Sequence, residues 1–505
     1  MLETTVFICG ALVMILEMVG GRMLAPHVGT SAIVWTSVIG IVLAFLALGA
    51  WAGGVFADKK LSLKGLAEAL TGAAAGSAIT AFFHASMGAA IAGGIDNLYA
   101  AAVASAIAVF ALPAFFFGMI TPYVIRLRIA SIDTAGATVG RLYALSTAGS
   151  IIGSFLGGFV LISLFASAAI VWGIAFVLLI LSLLVSPKKF WLRLVLLAVF
   201  VFLAWQDMAY SQWRKEKYGE EIIESPYNVI RLMNGRDSSR GGAAIRLMAT
   251  DPGYSQSGML IDDPAEPYFD YTRYYALGPK YAPRAKKILM LGGGGYSVPK
   301  WLLSGKSGID PDFSLKVVEI DPAMTKTARE HFALKDDPRM EIEHRDARQF
   351  LNRQRDQYDL IFVDVFNSHY SIPFQMGTAE AIRELRRAAA PGGVLVMNMI
   401  SAITGENGRL FRSVWQNLKK AFPDIDVYCV GYPNQPDKVQ NLIILARDPL
   451  KPEASSPAIV PVSPDAKEIE RMERRRYEGD IPEDTPPLTD EFAPVDRYTL
   501  MLTDK

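Results

Sequence analysis

The chain has 505 residues, so more than one domain is expected. Lys plus Arg equals Asp plus Glu at 50 each, and that neutral balance argues against a nucleic-acid protein. Two cysteines, Cys9 and Cys429, and five histidines without ligand spacing exclude a disulfide framework and give no metal site.

Hydrophobic residues make up 51% of the chain, unevenly placed. Up to Gln206 the sequence is mostly Ala, Val, Ile, Leu, Phe and Gly; from Asp207 it has ordinary soluble composition. A helix of about 20 apolar residues crosses a bilayer. Seven such runs are expected at 4–21, 32–56, 66–92, 98–123, 138–163, 166–186 and 190–206. They are too many for a cleaved signal peptide, and the first has no basic leader region. Small residues, as in Gly149-Ser150-Ile151-Ile152-Gly153-Ser154 and Gly157-Gly158, allow close helix contact. Glu17 and Arg22 fall in or near the first run, where a charge is costly. A Glu17–Arg22 pair, or Arg22 snorkelling to the interface, would satisfy them. Lys59, Lys60 and Lys64 follow the second run, Arg126 and Arg128 the fourth, and Lys188, Lys189 and Arg193 the sixth. The positive-inside rule places these turns in the cytoplasm. Seven spans then put the soluble half outside, whereas a domain using a nucleoside cofactor belongs inside. A span count wrong by one is the expected reconciliation.

Residues 207–280 read as a small β-rich module, with strand-like runs at 227–232 and 244–248. From Lys287 strands alternate with helices. Strands are expected at 288–291, 315–320, 340–344, 360–365 and 394–399, and helices at 298–303, 324–332 and 378–389. This alternation means a mostly parallel sheet with helices on both faces. Ligands then sit outside the carboxyl ends of the strands. Segment 451–487, rich in Pro, Ser, Glu and Arg, reads as a polar linker with a short, solvated charged helix.

The first strand of this region runs into Gly292-Gly293-Gly294-Gly295. Without a Cβ, such a turn lets backbone approach a nucleotide or nucleoside. The second strand ends at Glu319 and Asp321, where an acid can accept from both ribose hydroxyls. After the third come Asp346 and Ala347, placed to read an adenine edge; the fourth ends at Asp364. Each acid alone reads first as a helix cap or a solvated turn residue. Glycine-rich, Glu, Asp, Asp on successive strand ends is the pattern of an S-adenosyl nucleoside fold. A dinucleotide site needs GxGxxG, and here the last position is Ser297.

These residues resemble the spermidine synthases, the aminopropyltransferases. Ser225-Pro226-Tyr227-Asn228-Val229 is similar to the family's early segment, whose amide contacts the nucleoside. Tyr271 is similar to its substrate-side tyrosine. The run Leu488-Thr489-Asp490-Glu491-Phe492-Ala493-Pro494-Val495-Asp496 resembles the end of bacterial membrane-fused members. So do Gly21-Arg22-Met23-Leu24-Ala25-Pro26, Val34-Trp35-Thr36-Ser37 and Tyr143-Ala144-Leu145-Ser146-Thr147-Ala148-Gly149-Ser150. The resemblance implies a polytopic α-helical membrane domain over 1–206 and the small β module over 207–280. A Rossmann-like α/β domain of the S-adenosylmethionine-dependent-methyltransferase type follows over 281–450, then the linker and a closing segment, 488–505. It implies Asp364 as proton acceptor from the attacking amine. Asn228, Gly292, Gly293, Gly294, Glu319, Asp346 and Ala347 would lie on the nucleoside, and Tyr271 and Asn367 on the amine side. The implied co-substrate is decarboxylated S-adenosylmethionine, and the partners are a polyamine or related small amine and the lipid bilayer. No metal and no nucleic acid are implied, and an oligomer is compatible. The implied place is the inner membrane with the catalytic domain cytoplasmic.

Two positions depart from the family. Gly295 stands where an acid usually holds the aminopropyl amine, and Asn367 where a second acid follows the catalytic one. Each lost charge-assisted hydrogen bond costs about 1.5–3 kcal/mol, or roughly 10- to 100-fold in affinity. Asp262, Asp263, Glu266, Asp270 and Asp490 are candidate substitutes, and His369 is a candidate second base or a plain loop residue. Three readings stay open: an aminopropyltransferase acting on an amine such as putrescine; a transferase of intact S-adenosylmethionine, whose carboxylate Gly295 would not repel; and a polyamine or nucleoside transporter or sensor without turnover.

Overall fold

The computed structural model describes residues 1–129, 131–251, 254–366, 373–448, 466–495 and 498. The chain divides into two compact units, Met1–Val229 and Ile230–Lys505.

In the first unit, seven helices are long and apolar enough to cross a membrane: Leu2–Val28, Ala32–Lys59, Leu63–Gly94, Leu98–Arg128, Ala135–Leu164, Ser167–Val185 and Phe190–Tyr218. The seventh outlasts its apolar run by twelve residues, because Gln206 to Tyr218 is rich in Met, Ala, Gln, Lys and Glu, which sustain a helix. It stops at Gly219, in the left-handed conformation with φ 64°. Among the described residues, seven helices thus have the length and apolarity of a span, the number read from the sequence.

The glycines of the first and fifth spans serve contact. A Cβ on Gly10 would lie 2.3 Å from the Ser146 carbonyl oxygen, and one on Gly153 would lie 2.3 Å from that of Ala11. Backbone meets backbone there, as small residues permit. Arg22 does not pair with Glu17. Five residues apart on a helix, the two point roughly 140° away from each other. Arg22 instead pairs with Glu224 at 3.3 Å and donates to the Ser225 carbonyl. Glu224, in the short strand β1 (Glu221–Glu224), also accepts from the Ser167 N–H at 3.1 Å and from its hydroxyl.

The second unit holds most of β2 (Val229–Asp237), which pairs antiparallel with β3 (Ala243–Ala249); β3 in turn pairs with β4 (Ser257–Leu260). The main sheet has seven strands. They are β5 (Lys287–Leu291), β6 (Ser314–Glu319), β7 (Met340–His344), β8 (Tyr358–Phe366), β9 (Ala389–Ser401), β10 (Asp424–Cys429) and β11 (Gln440–Arg447). Their order is β10-β11-β9-β8-β5-β6-β7. Strands β5 to β9 are parallel, as expected, and β10 and β11 form an antiparallel edge. This is a Rossmann-like methyltransferase-type sheet. Its central strands are buried on both faces, which is why they read as unbroken apolar runs: Leu289, Leu291, Ile361, Val363, Leu395 and Met397 are fully buried. The order reverses between β5 and β8, which opens a crevice at their carboxyl ends.

Helix Ala466–Glu473, expected to be solvated, is docked. Ile469 and Met472 are buried, and Glu468 takes a two-pronged pair from Arg273. The chain then follows β10, with the Tyr477 N–H donating to the Val427 carbonyl at 2.7 Å. That contact covers a sheet edge that would otherwise stay open.

Candidate active site

The glycine turn lies where the sheet order reverses. Gly292 has φ 92°, and its N–H donates to the Val318 carbonyl at 2.9 Å. A Cβ there would lie 2.4 Å from the Asp364 carbonyl oxygen, so both conformation and space demand glycine. Gly294 has φ 52°. Tyr296 anchors the far side: its ring is fully buried and its hydroxyl lies 2.6 Å from the Thr325 hydroxyl.

Glu319 is brought to this turn, in a bracing geometry. Its Oε2 accepts from the N–H groups of Gly293 at 2.8 Å and Gly294 at 3.2 Å. Its Oε1 accepts from the Asp321 N–H at 2.9 Å. Burial raises its pKa, and these three N–H donors act against that shift. The carboxylate expected on the ribose therefore also shapes the turn.

Asp364 lies near the carboxyl end of β8, half-buried, and lines the same cleft as the turn. Its Oδ1 accepts from Asn398 Nδ2 at 3.1 Å, and Asn398 Oδ1 accepts from Asn441 Nδ2 at 3.0 Å. The second bond orients the Asn398 amide so that its donor points at the carboxylate. Burial pushes the Asp364 pKa up to about 6, against the Asn398 bond and the Tyr275 and Tyr271 hydroxyls. Burial and the charge of Asp364 push both phenols upward in turn. Such a carboxylate is mostly ionised at neutral pH yet basic enough to take a proton.

Asn398, Gln256 and Ser257 were not anticipated from sequence. Asn398 has one available signal: a lone amide in the apolar run of β9, 1% exposed, which is costly unless hydrogen-bonded. Gln256 and Ser257 line the cleft with Phe269, Tyr271 and the glycine turn. Ser257 also explains Gly295. Its Oγ accepts the Gly295 N–H at 2.9 Å, and its Cβ lies 2.8 Å from where a Cβ on Gly295 would stand. An acid at 295 would have to displace β4.

The other expected residues make local contacts. Asp346 caps helix Ala347–Arg353, accepting the Gln349 N–H at 2.9 Å, with Ala347 half-buried in its first turn. Asn228 closes a turn at the end of the first unit, its N–H donating to Ser225 Oγ at 2.9 Å. Asn367 and His369 lie outside the described residues. Among the candidate substitute acids, Asp263 is paired with Lys306, Glu266 with Arg273 and Lys306, and Asp490 with Arg348. Asp262 and Asp270 are exposed. Among the described residues lining the cleft, Asp364 is the carboxylate.

Residues 273–453 match the family model of the spermine/spermidine synthase domain. The polyamine aminopropyltransferase of Vibrio vulnificus is 28% identical over 45% of this chain and 75% of its own length. That of Moorella thermoacetica is 31% identical over 30% of this chain and 53% of its own. The crystal structure of spermidine synthase from Thermotoga maritima matches 56% of this chain and 87% of its own, at 18% identity and TM-score 0.35. The chain thus spans between about half and three quarters of these curated relatives. Residues 273–453 thus match a spermine/spermidine synthase domain, and this part of the chain is similar to polyamine aminopropyltransferases.

Proposed function

We propose that this protein is an aminopropyltransferase held in the inner membrane by its seven spans. It moves an aminopropyl group from decarboxylated S-adenosylmethionine to a di- or polyamine such as putrescine. The observation that carries this reading is Asp364: a carboxylate at the carboxyl end of β8, facing the glycine turn, with its pKa raised to about 6. The amine loses a proton to Asp364. Its nitrogen lone pair attacks the carbon bonded to the sulfonium, the C–S bond breaks, and its electrons leave with methylthioadenosine. Gly292, Gly293 and Gly294 let the nucleoside approach backbone, and Glu319 shares its carboxylate between the turn and the ribose. Asp346 and Ala347 take the adenine edge, and Tyr271 faces the amine.

One observation favours a second reading, a transferase of intact S-adenosylmethionine. Ser257 fills the space where a second acid would bind the aminopropyl nitrogen. The test gives purified protein putrescine with either form of the donor. Methylthioadenosine formed only from the decarboxylated form, and lost in Asp364→Asn, supports the first reading. S-adenosylhomocysteine from the intact form supports the second, and binding without either product removes both.

A further inference from the structure

The two ends of the seven-helix unit carry different charge, and its ion pairs show which helix ends belong together. Glu3 pairs with Arg128 and Arg141, Asp58 with Arg126, and Glu68 with Lys64 and Lys189. These pairs gather the start of the first span, the ends of the second and fourth, and the starts of the third, fifth and seventh. The basic turns around Lys60, Arg128 and Lys188 therefore all lie at one end.

At the other end, a Cβ on Gly88 would touch the His27 ring, which joins the ends of the first and third spans. Glu224 receives Arg22 of the first span and Ser167 at the start of the sixth. Glu224 follows the seventh span, so the chain leaves the helical unit at this end. The turns 29–31, 95–97 and 165–166 here contain no Lys or Arg. The cations at this end are Arg22, bound to Glu224, and Arg214, Lys215 and Lys217 in the last turns of the seventh helix. Arg214 and Lys215 pair with Glu220 and Glu221.

Lys and Arg in short turns orient a membrane protein, and acids contribute little. We propose that the basic end faces the cytoplasm and that the chain enters its transferase half on the extracytoplasmic side. The Asp364 cleft then draws its amine from that compartment. This last clause rests on the function proposed above; the sidedness does not. A cytoplasmic cleft, expected from the nucleoside alone, would require the basic turns to lie outside.

The test uses two variants of the full chain, each with one added cysteine, expressed in cells that are converted to spheroplasts and treated with a membrane-impermeant maleimide. Ser239→Cys sits on an exposed turn of the soluble unit, and Lys60→Cys in an exposed basic turn. The native Cys9 and Cys429 are buried, which keeps background low. The expected result is labelling of Ser239→Cys in intact spheroplasts and of Lys60→Cys only after lysis. Labelling of Lys60→Cys before lysis, or protection of Ser239→Cys until lysis, overturns the proposal. If either variant fails to accumulate, Asp312→Cys and Ser131→Cys, also exposed, report the same two sides. A protein that releases no methylthioadenosine leaves this labelling pattern unchanged. Reversed labelling leaves the methylthioadenosine assay unchanged, so the two failures are separable.

Discussion

The helical unit and the soluble unit use the same residue in opposite ways. In the first, Gly10 and Gly153 are ordinary helical residues whose missing side chain lets one helix touch another. In the second, Gly292 and Gly294 hold positive φ and bring backbone against Asp364 and the cleft. Charges divide in a parallel way. Glu3, Asp58 and Glu68 of the helical unit pair at helix ends, whereas Glu319 and Asp364 are withdrawn from water, and their pKa values move with them. Glycine in a span concerns packing, and glycine in the turn concerns the site.

Substitution should separate the two uses. Gly292→Ala places a Cβ in a conformation that costs roughly 1–2 kcal/mol and against a carbonyl. Affinity for methylthioadenosine, measured calorimetrically, should fall on the order of 100-fold. Gly153→Ala should lower the melting temperature of the detergent-solubilised protein and leave that affinity unchanged. Equal effects of the two variants on affinity would erase the distinction.

Glu319→Ala comes next. It removes the acceptor from two turn N–H groups and should weaken methylthioadenosine binding by roughly 10- to 100-fold. Unchanged affinity would leave Glu319 with neither role.

Asn398→Leu removes a bond that holds the Asp364 pKa down, so the acid limb of the rate profile should move above its starting value of about 6. The rate should fall about tenfold near pH 6 and recover as pH rises. A purely structural loss would lower the rate at every pH.

The smallest expected effect is on stability. The Asp364 pKa is raised on folding, so the folded state binds its proton more tightly than the unfolded chain and is penalised once the group ionises. Asp364→Asn should therefore gain about 1–3 kcal/mol near pH 7. The gain should fade as pH falls from about 6 to below about 4, where both states are protonated. Denaturant melts at the two pH values measure it.

What was legible in the sequence depended on whether the signal was local. Seven apolar runs and five parallel strands follow from run length and alternation, so they were found within a few residues at most ends. Helix Phe190–Tyr218 ran further because helix propensity does not stop where apolarity does. That Gly292 and Asp364 lie together was readable because strand ends converge in this architecture. The bracing of the turn by Glu319, the Ser257 side chain behind Gly295 and the Asn398–Asn441 relay depend on which strands become neighbours. Arg22 and Glu224, 202 residues apart, are the same case in the helical unit. No spacing in the chain encodes those contacts.

The central claim is that Asp364 accepts the proton of the attacking amine. The most direct measurement is the pH dependence of methylthioadenosine release from decarboxylated S-adenosylmethionine and putrescine, by wild type and Asp364→Asn. The account predicts a wild-type rate that rises through about pH 6 and levels above it. The variant should be slower by on the order of 100-fold or more, without that limb. A variant that keeps the wild-type rate and the same limb would contradict it.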